Sequence, residues 1–473
     1  MSENSRNFSK RNGDIKEERT GFLYNIIGKL CQIPHKERGN DMNPITEHRK
    51  PLRRERIIQF GGGGFLRGFF DWMVQKINET SDFDGSVVVV RSIDRAGDAD
   101  AFAAQNHLYT HLMRGAEGVE ATLVDVISRS LNANREYDAY LALADAPDFR
   151  FVVSNTTESG IVFSASDRMD DAPPSTFPAK VTALLWRRYK NGLPGFIFLP
   201  CELIERNGDT LRACILRYAE LWGLGADFKR FVECENVFCN TLVDRINTGF
   251  PKGETLDLGY TDAFVNTSEF YHLLVIETDF DIERELPFSM AGLNVIVTRD
   301  KLETYRTRKV RILNGAHTSL VPYALLSGFE TVRECVENAD MNAYLRRAIF
   351  DEIIPTLDLP REELEEYAES VLVRFSNPYI KHYLSDISLN SVSKFRVRVL
   401  PSILAYIDRF GRMPETLIFA FANLLAFYRT DRTRDSVEVT AFMKTHTTRE
   451  ILASAELWGR DLSFLADAVE GAL

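Results

Sequence analysis

The 473-residue sequence lacks a long apolar run and an excess of positive charge, and each absence argues against a class of protein. No stretch of about 18 apolar residues is present, which argues against a transmembrane helix. The first residues also lack the apolar core of a signal peptide. The net charge of −11 would repel nucleic acid. We therefore expect neither nucleic acid nor membrane as partner.

The sequence also lacks any C-x-x-C pair. Cys234 and Cys239 are five positions apart, a poor zinc spacing without a second pair. We therefore expect the reduced thiols of a cytoplasmic protein, and no metal site. The six cysteines are Cys31, Cys201, Cys214, Cys234, Cys239 and Cys335.

The length predicts two or three domains. Residues 1–50 are polar and charged and form a predicted N-terminal extension. Over residues 51–266, short apolar runs alternate with helical patterns, which predicts a Rossmann-type, doubly wound α/β domain. Within it, Leu108–Leu131 alternates apolar and polar residues and predicts an antiparallel hairpin inserted in the sheet. Residues 267–473 are predicted to form a mostly α-helical substrate and catalytic domain, because periods of 3.6 residues dominate after about Arg306.

A glycine-rich turn follows the first predicted strand. Gly61, Gly62, Gly63 and Gly64 stand between Ile57–Phe60 and a helical pattern, as in dinucleotide-binding sites. The third glycine of G-x-G-x-x-G is lacking, because the expected positions hold Leu66 or Arg67. The turn still predicts a dinucleotide site, with Phe65 and Arg67 beside the phosphates. The alternative is a purely structural turn.

The end of the second predicted strand bears on the choice of cofactor. An acid there usually binds the adenosine ribose, and Asp94 stands slightly late for this role. Arg91 stands where a cation favours a 2′-phosphate. NAD is our prediction, and NADP remains an alternative.

A second group of candidate residues is Lys309, Asn314 and His317. On an α-helix, His317 lies about 80° and Asn314 about 140° from Lys309, so one half-face carries all three. Hydride transfer between an alcohol and a ketone needs an acid/base at the oxygen and donors for the developing alkoxide. Lys309 suits the first role, Asn314 the second, and His317 can orient a hydroxyl. The alternative is an ordinary solvated helix face.

Phe60-Gly-Gly-Gly-Gly-Phe-Leu-Arg67 together with Lys309-x4-Asn314-x2-His317 resembles the polyol-specific long-chain dehydrogenase family, also called the mannitol dehydrogenase family. The resemblance covers the chain from about Arg56 onward. It is greatest toward members that reduce tagaturonate, through the segments 154–161, 200–208, 240–245, 314–318 and 374–378. It implies zinc-independent, NAD-dependent interconversion of D-tagaturonate and D-altronate in hexuronate catabolism. It also implies Lys309 as general acid/base, Asn314 on the alkoxide and His317 on substrate hydroxyls.

The resemblance extends the predicted site. It places Asn155 and Glu158 near the cofactor and Asp244 and Arg245 near the cleft. The chain departs from the mannitol dehydrogenases at Leu203, where those relatives carry an oxyanion asparagine. Either Asn207 substitutes for it, or Asn314 acts with another partner.

A hexuronate also needs a cation for its carboxylate. The candidates follow Asn377, itself a predicted substrate residue, and we rank Lys394 first by resemblance. The alternative is that these candidates lie on a solvated helix face. They are Lys381, His382, Lys394 and Arg396.

Other functions remain open at this stage. Fructuronate reductase and other polyol dehydrogenases are alternatives within the family, and an NAD-binding sensor protein is the non-enzyme alternative. We expect a monomer or a homodimer.

Overall fold

The structure is a computed structural model that describes residues 43–91, 98–156 and 160–472, without the side chains of residues 98–100. The strands are β1 Asn43–Pro44, β2 Arg54–Phe60, β3 Gly85–Arg91, β4 Tyr109–Gly115, β5 Gly118–Val124, β6 Ile127–Asn132, β7 Phe151–Ser154, β8 Ile197–Pro200, β9 Val237–Phe238, β10 Asn240–Asp244, β11 Asn247–Gly249, β12 Tyr260–Thr261, β13 Asn266–Ser268, β14 Leu273–Glu277 and β15 Val295–Thr298.

The α-helices are α1 Gly64–Gly68, α2 Phe70–Thr80, α3 Asp98–Ala104, α4 Tyr137–Leu141, α5 Phe177–Lys190, α6 Asn207–Leu221, α7 Ala226–Cys234, α8 Leu302–Arg308, α9 Gly315–Leu326, α10 Val332–Glu337, α11 Ala339–Arg346, α12 Arg361–Phe375, α13 Leu384–Ile387, α14 Ser391–Arg398, α15 Leu400–Phe410, α16 Glu415–Tyr428, α17 Val437–Thr445, α18 Thr448–Ala453, α19 Ala455–Trp458 and α20 Ala466–Glu470. Two π-helices cover Lys309–Asn314 and Arg347–Ile353. Among the described residues, no helix combines the length and apolarity needed to cross a bilayer.

The central element is a six-stranded parallel sheet with the order β6-β3-β2-β7-β8-β9. Numbered within the sheet, this is the order 3-2-1-4-5-6 of dinucleotide-binding sheets. The order reverses between β2 and β7, where Phe60 pairs with Ser154. The residues that follow these two positions therefore meet at the edge where such sheets bind their ligands. The predicted Rossmann-type domain is confirmed.

Both faces of this sheet are buried, as its continuous β-branched runs predict. Successive residues of a strand point to opposite faces, so Ile57 and Val87 pack with α2 in one core while Ile58 and Val88 pack with α5 and α6 in another. Helix α5 begins at Thr176, whose hydroxyl accepts a hydrogen bond from the Ala179 N–H. The sheet is therefore covered by helices on both sides.

Smaller sheets flank the central one. The predicted hairpin forms as β4 and β5, but it belongs to a separate four-stranded sheet, β11-β13-β4-β5, and is not inserted in the parallel sheet. A three-stranded sheet, β10-β14-β15, continues to Thr298, beyond the predicted boundary at residue 266. Strands β1 and β12 form a parallel ladder in a small separate unit.

From Leu302 onward the main unit is helical and has its own hydrophobic core. Helix α16 is buried on nearly all sides and packs against α9. The carboxylate of Glu352, from the second π-helix, accepts hydrogen bonds from the N–H groups of Thr416 and Leu417 at 2.8 Å each. This carboxylate satisfies the first turn of α16, and α16 in turn supports α9, which carries His317. The predicted helical C-terminal region is confirmed.

Candidate active site

The glycine turn begins where β2 ends, beside the end of β7. Gly61 has φ +113°, a conformation that favours glycine, and a Cβ there would lie 3.0 Å from the backbone oxygen of Asn155. The Gly64 carbonyl accepts hydrogen bonds from the side-chain amides of Asn247 at 2.7 Å and Asn266 at 2.9 Å. The turn is therefore fixed at both of its ends.

The two middle glycines differ in the space around them. A Cβ on Gly62 would lie 3.1 Å from Cγ1 of Val89, whereas a Cβ on Gly63 would meet nothing within 4 Å. Gly63 is exposed, at the edge where the strand order reverses. The backbone here is open to close approach, as the phosphates of a dinucleotide require. These residues therefore fit a nicotinamide dinucleotide.

Gly68, which the sequence pattern did not identify, takes the place of the third glycine. A Cβ on Gly68 would lie 2.0 Å from Nδ2 of Asn247, 2.5 Å from Nδ2 of Asn266 and 2.9 Å from Cε1 of His111. These two amides are the ones that bind the Gly64 carbonyl. Gly68 thus provides the close packing that the third glycine of the fingerprint provides elsewhere. Its late position in the motif concealed it.

The Arg67 side chain is held by other residues of the protein, and its predicted contact with the phosphates stays a prediction. Its Nη1 donates a hydrogen bond to the Phe264 backbone oxygen at 2.8 Å. Its guanidinium carbon lies 5.3–5.8 Å from the ring centroids of Phe102, Tyr109 and Phe264. Cation–π contacts and a backbone hydrogen bond hold the charge, so Arg67 is a structural residue that ties α1 to β4.

Of the other predicted cofactor residues, two lie within the described part of the chain and two lie outside it. Phe65 packs against the hydrophobic core below the sheet. Asn155 donates from Nδ2 to the Cys201 backbone oxygen at 2.8 Å and so joins the ends of β7 and β8. Asp94 and Glu158 lie outside the described residues, so their roles stay predictions.

A buried carboxyl group lies behind the turn. The side-chain Nε2 of Gln59 donates both to the Gly61 backbone oxygen at 3.0 Å and to Oδ2 of Asp71 at 3.2 Å. Asp71 is fully buried in α2. Burial raises the pKa of Asp71 to about 7, against the opposing effects of the Gln59 hydrogen bond and the Arg67 charge.

Lys309 and Asn314 lie at the two ends of a π-helix that joins α8 to α9. On an α-helix, residues five positions apart are separated by about 140° around the axis. The i→i+5 hydrogen bonds of a π-helix reduce this angle, so Lys309 and Asn314 lie closer to one face. The predicted continuous α-helix is therefore wrong over these six residues. Such single π-helical turns are frequent at functional sites, and this one carries Lys309 and Asn314 at its two ends.

Lys309 is held by the end of β10. Its Nζ donates to the Val243 backbone oxygen at 2.8 Å and lies 3.7 Å from Oδ1 of Asp244. The lysine side chain is 18% exposed and Asp244 is 5% exposed. One backbone oxygen and one carboxylate therefore orient the amine in a largely buried place.

Asp244 belongs to a buried network of charges. Arg374, from α12, donates to both Asp244 oxygens at 3.0 and 3.1 Å and to both oxygens of Glu269 at 2.9 Å. The Tyr367 hydroxyl donates to Oδ2 of Asp244 at 3.1 Å. Burial alone would raise the pKa of Asp244, but the charges of Arg374 and Lys309, with the hydrogen bonds of Arg374 and Tyr367, hold it below its usual value. Asp244 is therefore a carboxylate. The sequence did not predict that Arg374, Glu269 and Tyr367 belong to the site.

His317 and Asn314 present polar atoms with unmet hydrogen-bonding capacity. Nε2 of His317 and Oδ1 of Asn314 are buried and have no hydrogen-bond partner within the described chain. The His317 ring stacks on Phe375 with centroids 4.0 Å apart and meets His382 edge-on at 5.6 Å. Burial first, and then nearby positive charge, lowers the pKa of His317 well below its usual value. A neutral imidazole offers one donor and one acceptor, which suits hydroxyl groups.

Asn207 is not available as the substitute oxyanion donor. Its Nδ2 donates to the backbone oxygens of Pro200 at 2.9 Å and Thr241 at 3.3 Å. Its Oδ1 accepts from the N–H groups of Gly208 at 3.0 Å and Thr241 at 2.9 Å. Both ends of the amide are used in joining β8 to β10, so Asn207 is structural and Asn314 is the remaining candidate amide.

Glu202, which precedes the position where this chain has Leu203 in place of the family's asparagine, also has a structural role. Glu202 accepts hydrogen bonds from the Ser154 hydroxyl at 3.0 Å and from the Thr156 N–H and hydroxyl at 2.9 and 2.8 Å. It thereby joins the ends of β7 and β8. Leu203 itself is 59% exposed and has no polar group to offer an oxyanion.

Arg245 is also structural. Its Nη1 donates to the Gly68 backbone oxygen at 2.9 Å, and Nε and Nη2 donate to the Glu269 backbone oxygen. The guanidinium lies over the Trp72 ring at 4.3 Å. Arg245 therefore fixes the end of α1, whereas its neighbour Asp244 faces the lysine.

Asn377 lies apart from the lysine. Its Nδ2 donates to the Arg114 backbone oxygen at 2.8 Å. It lines a cavity of about 430 Å³ together with Glu269 and Arg374. The cavity is not lined by Lys309, so a direct contact between Asn377 and the substrate stays a prediction.

The candidates for the carboxylate separate into two groups. His382 lies against the His317 ring, and Lys394 is half-buried with its Nζ donating to a backbone oxygen at 2.9 Å. Lys381 and Arg396 are exposed, and the Arg396 guanidinium packs beside Gly459. The structure thus brings His382 and Lys394 toward His317 and leaves the other two outside.

Family models match most of the chain. The model described as the mannitol dehydrogenase Rossmann domain matches residues 55–287, and that of the mannitol dehydrogenase C-terminal domain matches residues 301–469. Among similar proteins, the altronate oxidoreductase of Enterobacter sp. (strain 638) is 42% identical over 463 residues, covering 91% of this chain and 95% of that protein. The altronate oxidoreductase of Bacillus subtilis (strain 168) is 44% identical over 437 residues, covering 86% and 89%.

Solved structures share the fold. A D-sorbitol dehydrogenase in substrate-free form aligns with a TM-score of 0.75 and 23% identity, over 90% of this chain and 92% of that one. The Pseudomonas fluorescens mannitol 2-dehydrogenase, in a ternary complex with NAD and D-mannitol, aligns with a TM-score of 0.67 and 24% identity, over 89% and 91%. At these identities the likeness concerns the architecture.

Proposed function

The chain belongs to the mannitol dehydrogenase family, and from this premise we propose that it interconverts D-altronate and D-tagaturonate with NAD as cofactor. Membership makes the protein an oxidoreductase that acts on a secondary alcohol. The substrate pair is supported by the altronate oxidoreductases, which are 42–48% identical over most of the chain. The proposal includes a cytoplasmic location and a monomer or homodimer.

The glycine turn supplies the cofactor site in this proposal. The backbone of Gly61–Gly64 receives the pyrophosphate, and Gly68 allows α1 to pack closely against Asn247 and Asn266. When bound, the nicotinamide cofactor supplies or accepts the hydride. Arg67 stays in its aromatic surroundings. The choice of NAD over NADP rests on the family, since Asp94 lies outside the described residues.

Lys309 moves the proton. In reduction its ammonium donates a proton to the carbonyl oxygen of the substrate, and in oxidation the neutral amine removes one from the hydroxyl. The Val243 oxygen and the Asp244 carboxylate fix the direction of Nζ. The Asn314 amide stabilises the alkoxide with its N–H group, and His317 orients a neighbouring hydroxyl.

One observation carries this mechanism. Lys309, at the start of the π-helix that ends at Asn314, donates from Nζ to the Val243 oxygen at 2.8 Å and has the buried Asp244 carboxylate beside it. A lysine on a solvated helix face would have neither a fixed partner nor a buried counter-ion. The arrangement therefore favours an enzyme over an NAD-binding sensor.

The test is a substrate panel with the Lys309→Ala variant. We expect the wild-type protein to consume NADH with D-tagaturonate, and Lys309→Ala to lose at least about 100-fold in kcat while binding NADH with unchanged affinity. Fructuronate and a neutral ketose in the same panel separate the alternatives. Near-wild-type turnover by the variant would remove Lys309 from the mechanism, and preference for fructuronate or a neutral ketose would replace the substrate pair.

A further inference from the structure

Helix α14 ends against the beginning of α9, near the His317 ring. A Cβ on Gly315 would lie 3.1 Å from the backbone oxygen of Arg398, so the two helices make a close approach there. The positive charges of Arg398 and Lys394, both on α14, act on the His317 ring. His382 meets the same ring edge-on at 5.6 Å. Cationic and polar groups therefore lie around the His317 ring.

Arg398 differs from Arg374 and Lys394, since no described carboxylate forms an ion pair with it or acts on its pKa. Arg374 is bound to two carboxylates. Lys394 donates to a backbone oxygen and is influenced by the negative charge of Asp435. The Arg398 guanidinium is half-buried and, across residues 43–91, 98–156 and 160–472, makes no hydrogen bond or ion pair. A half-buried guanidinium without a partner is costly, and an anion would offset that cost.

We propose that Arg398 binds the carboxylate of the substrate, beside Lys394 and His382, and so selects a sugar acid over a neutral polyol. The inference rests on the proposed function, since Lys309 and Asn314 must hold the reacting carbon while Arg398 holds the charged end. A guanidinium binds a carboxylate through two parallel hydrogen bonds, which fix orientation as well as charge.

The geometry also explains the discrimination. Lys309, Asn314 and His317 follow one another along the chain, and the charges of Lys394 and Arg398 on α14 act on the His317 ring. A hexuronate carries its carboxylate at one end of the carbon chain and is reduced toward the other end. A neutral hexitol would leave Arg398 desolvated and unpaired, and sites of this kind reject analogues that lack the matching group.

The experiment compares Arg398→Gln with Arg396→Gln, which lies on the same helix but is exposed beside Gly459. Both variants are assayed in the oxidative direction with altronate and with the corresponding neutral hexitol. We expect Arg398→Gln to lose about 10- to 100-fold in kcat/KM for altronate, mostly through KM. Its kcat/KM for the hexitol should stay within about twofold of wild type or rise, as expected when only charge recognition is removed.

Controls separate recognition from folding. Arg396→Gln should match the wild type on both substrates, and Arg398→Lys should recover part of the altronate activity because it keeps the charge. NADH binding by Arg398→Gln, followed by fluorescence titration, should be unchanged. Equal losses on both substrates, or an unchanged altronate KM, would overturn the inference while leaving the proposed function standing. A wild-type protein that oxidises the hexitol and not altronate would overturn both.

Discussion

At the scale of single residues, Arg374 is the most consequential side chain that the sequence left without a role. It is 4% exposed and bridges two carboxylates that are themselves 5% and 2% exposed. Burying three charges is tolerated because each is paired and hydrogen-bonded. The bridge also holds Asp244 in place beside Lys309, so the arginine acts on the lysine through its neighbour as a positioning residue.

Arg374→Met tests this bridge. We expect the unfolding free energy to fall by about 3–5 kcal/mol, because two buried carboxylates lose their counter-ion. The loss should be larger at pH 8 than at pH 5, since without the arginine the folded-state pKa of Asp244 rises and protonation relieves the penalty. Arg346→Met removes the exposed pair with Glu369 and should cost less than about 1 kcal/mol. Urea titrations at both pH values measure this, and equal costs for the two variants would contradict it.

Asp71 gives the fold a pH dependence near neutrality. Its folded-state pKa is raised from 3.8 to about 7, so the folded protein binds more protons than the unfolded chain between these values. The contribution of Asp71 to the unfolding free energy is therefore greatest below about pH 4 and is lost as pH rises toward 7. The maximum contribution is of the order of 4 kcal/mol.

Asp71→Asn should remove this dependence. The amide keeps the shape and cannot ionise, so the variant should gain stability relative to wild type as pH rises from 5 to 8. Guanidinium or urea titrations at pH 5, 6, 7 and 8 provide the measurement. Parallel stability curves for the two proteins would show that Asp71 does not titrate in this range.

At the scale of elements, the glycine turn and α1 depend on packing that a short motif does not reveal. Gly68→Ala would place a Cβ 2.0 Å from Nδ2 of Asn247, so we expect a loss of about 1–3 kcal/mol in stability. NADH affinity should fall as well, because that amide fixes the Gly64 carbonyl. Calorimetry and NADH titration test both effects, and an unchanged melting temperature would contradict the packing role.

Gly63→Ala is the matched variant for this prediction. Gly63 has φ −70° and no atom within 4 Å of its Cβ position. Its stability should therefore stay within about 0.5 kcal/mol of wild type, while NADH affinity falls through contact with the phosphates. Comparing the two variants therefore distinguishes a loss of NADH affinity that comes from disturbed packing within the protein from one that comes from direct contact with the cofactor.

The whole molecule shows which features a sequence can predict. The β-branched run Val87–Val90 and its neighbours identified the parallel sheet, because burial on both faces demands continuous apolar strands. The π-turn at Lys309 was missed, because periodicity does not separate i→i+4 from i→i+5 bonding. Arg67 and Asn207 were assigned to the site because their chemistry suits it. Their hydrogen bonds to Phe264 and Thr241 arise only from the tertiary fold.

The stretch Val243–Asn247 has a consequence for how such an enzyme diversifies. Within it lie the oxygen that holds Lys309, the carboxylate beside that lysine, the guanidinium on the Gly68 carbonyl and the amide on the Gly64 carbonyl. Four residue steps span at most roughly 14 Å, so the covalent chain limits the distance between the group that holds Lys309 and the groups that hold the glycine turn. New substrates can then be accommodated by altering α13 and α14, which leave this stretch unchanged, whereas an insertion within Val243–Asn247 would move Lys309 relative to the glycine turn and so separate the proton donor from the hydride donor.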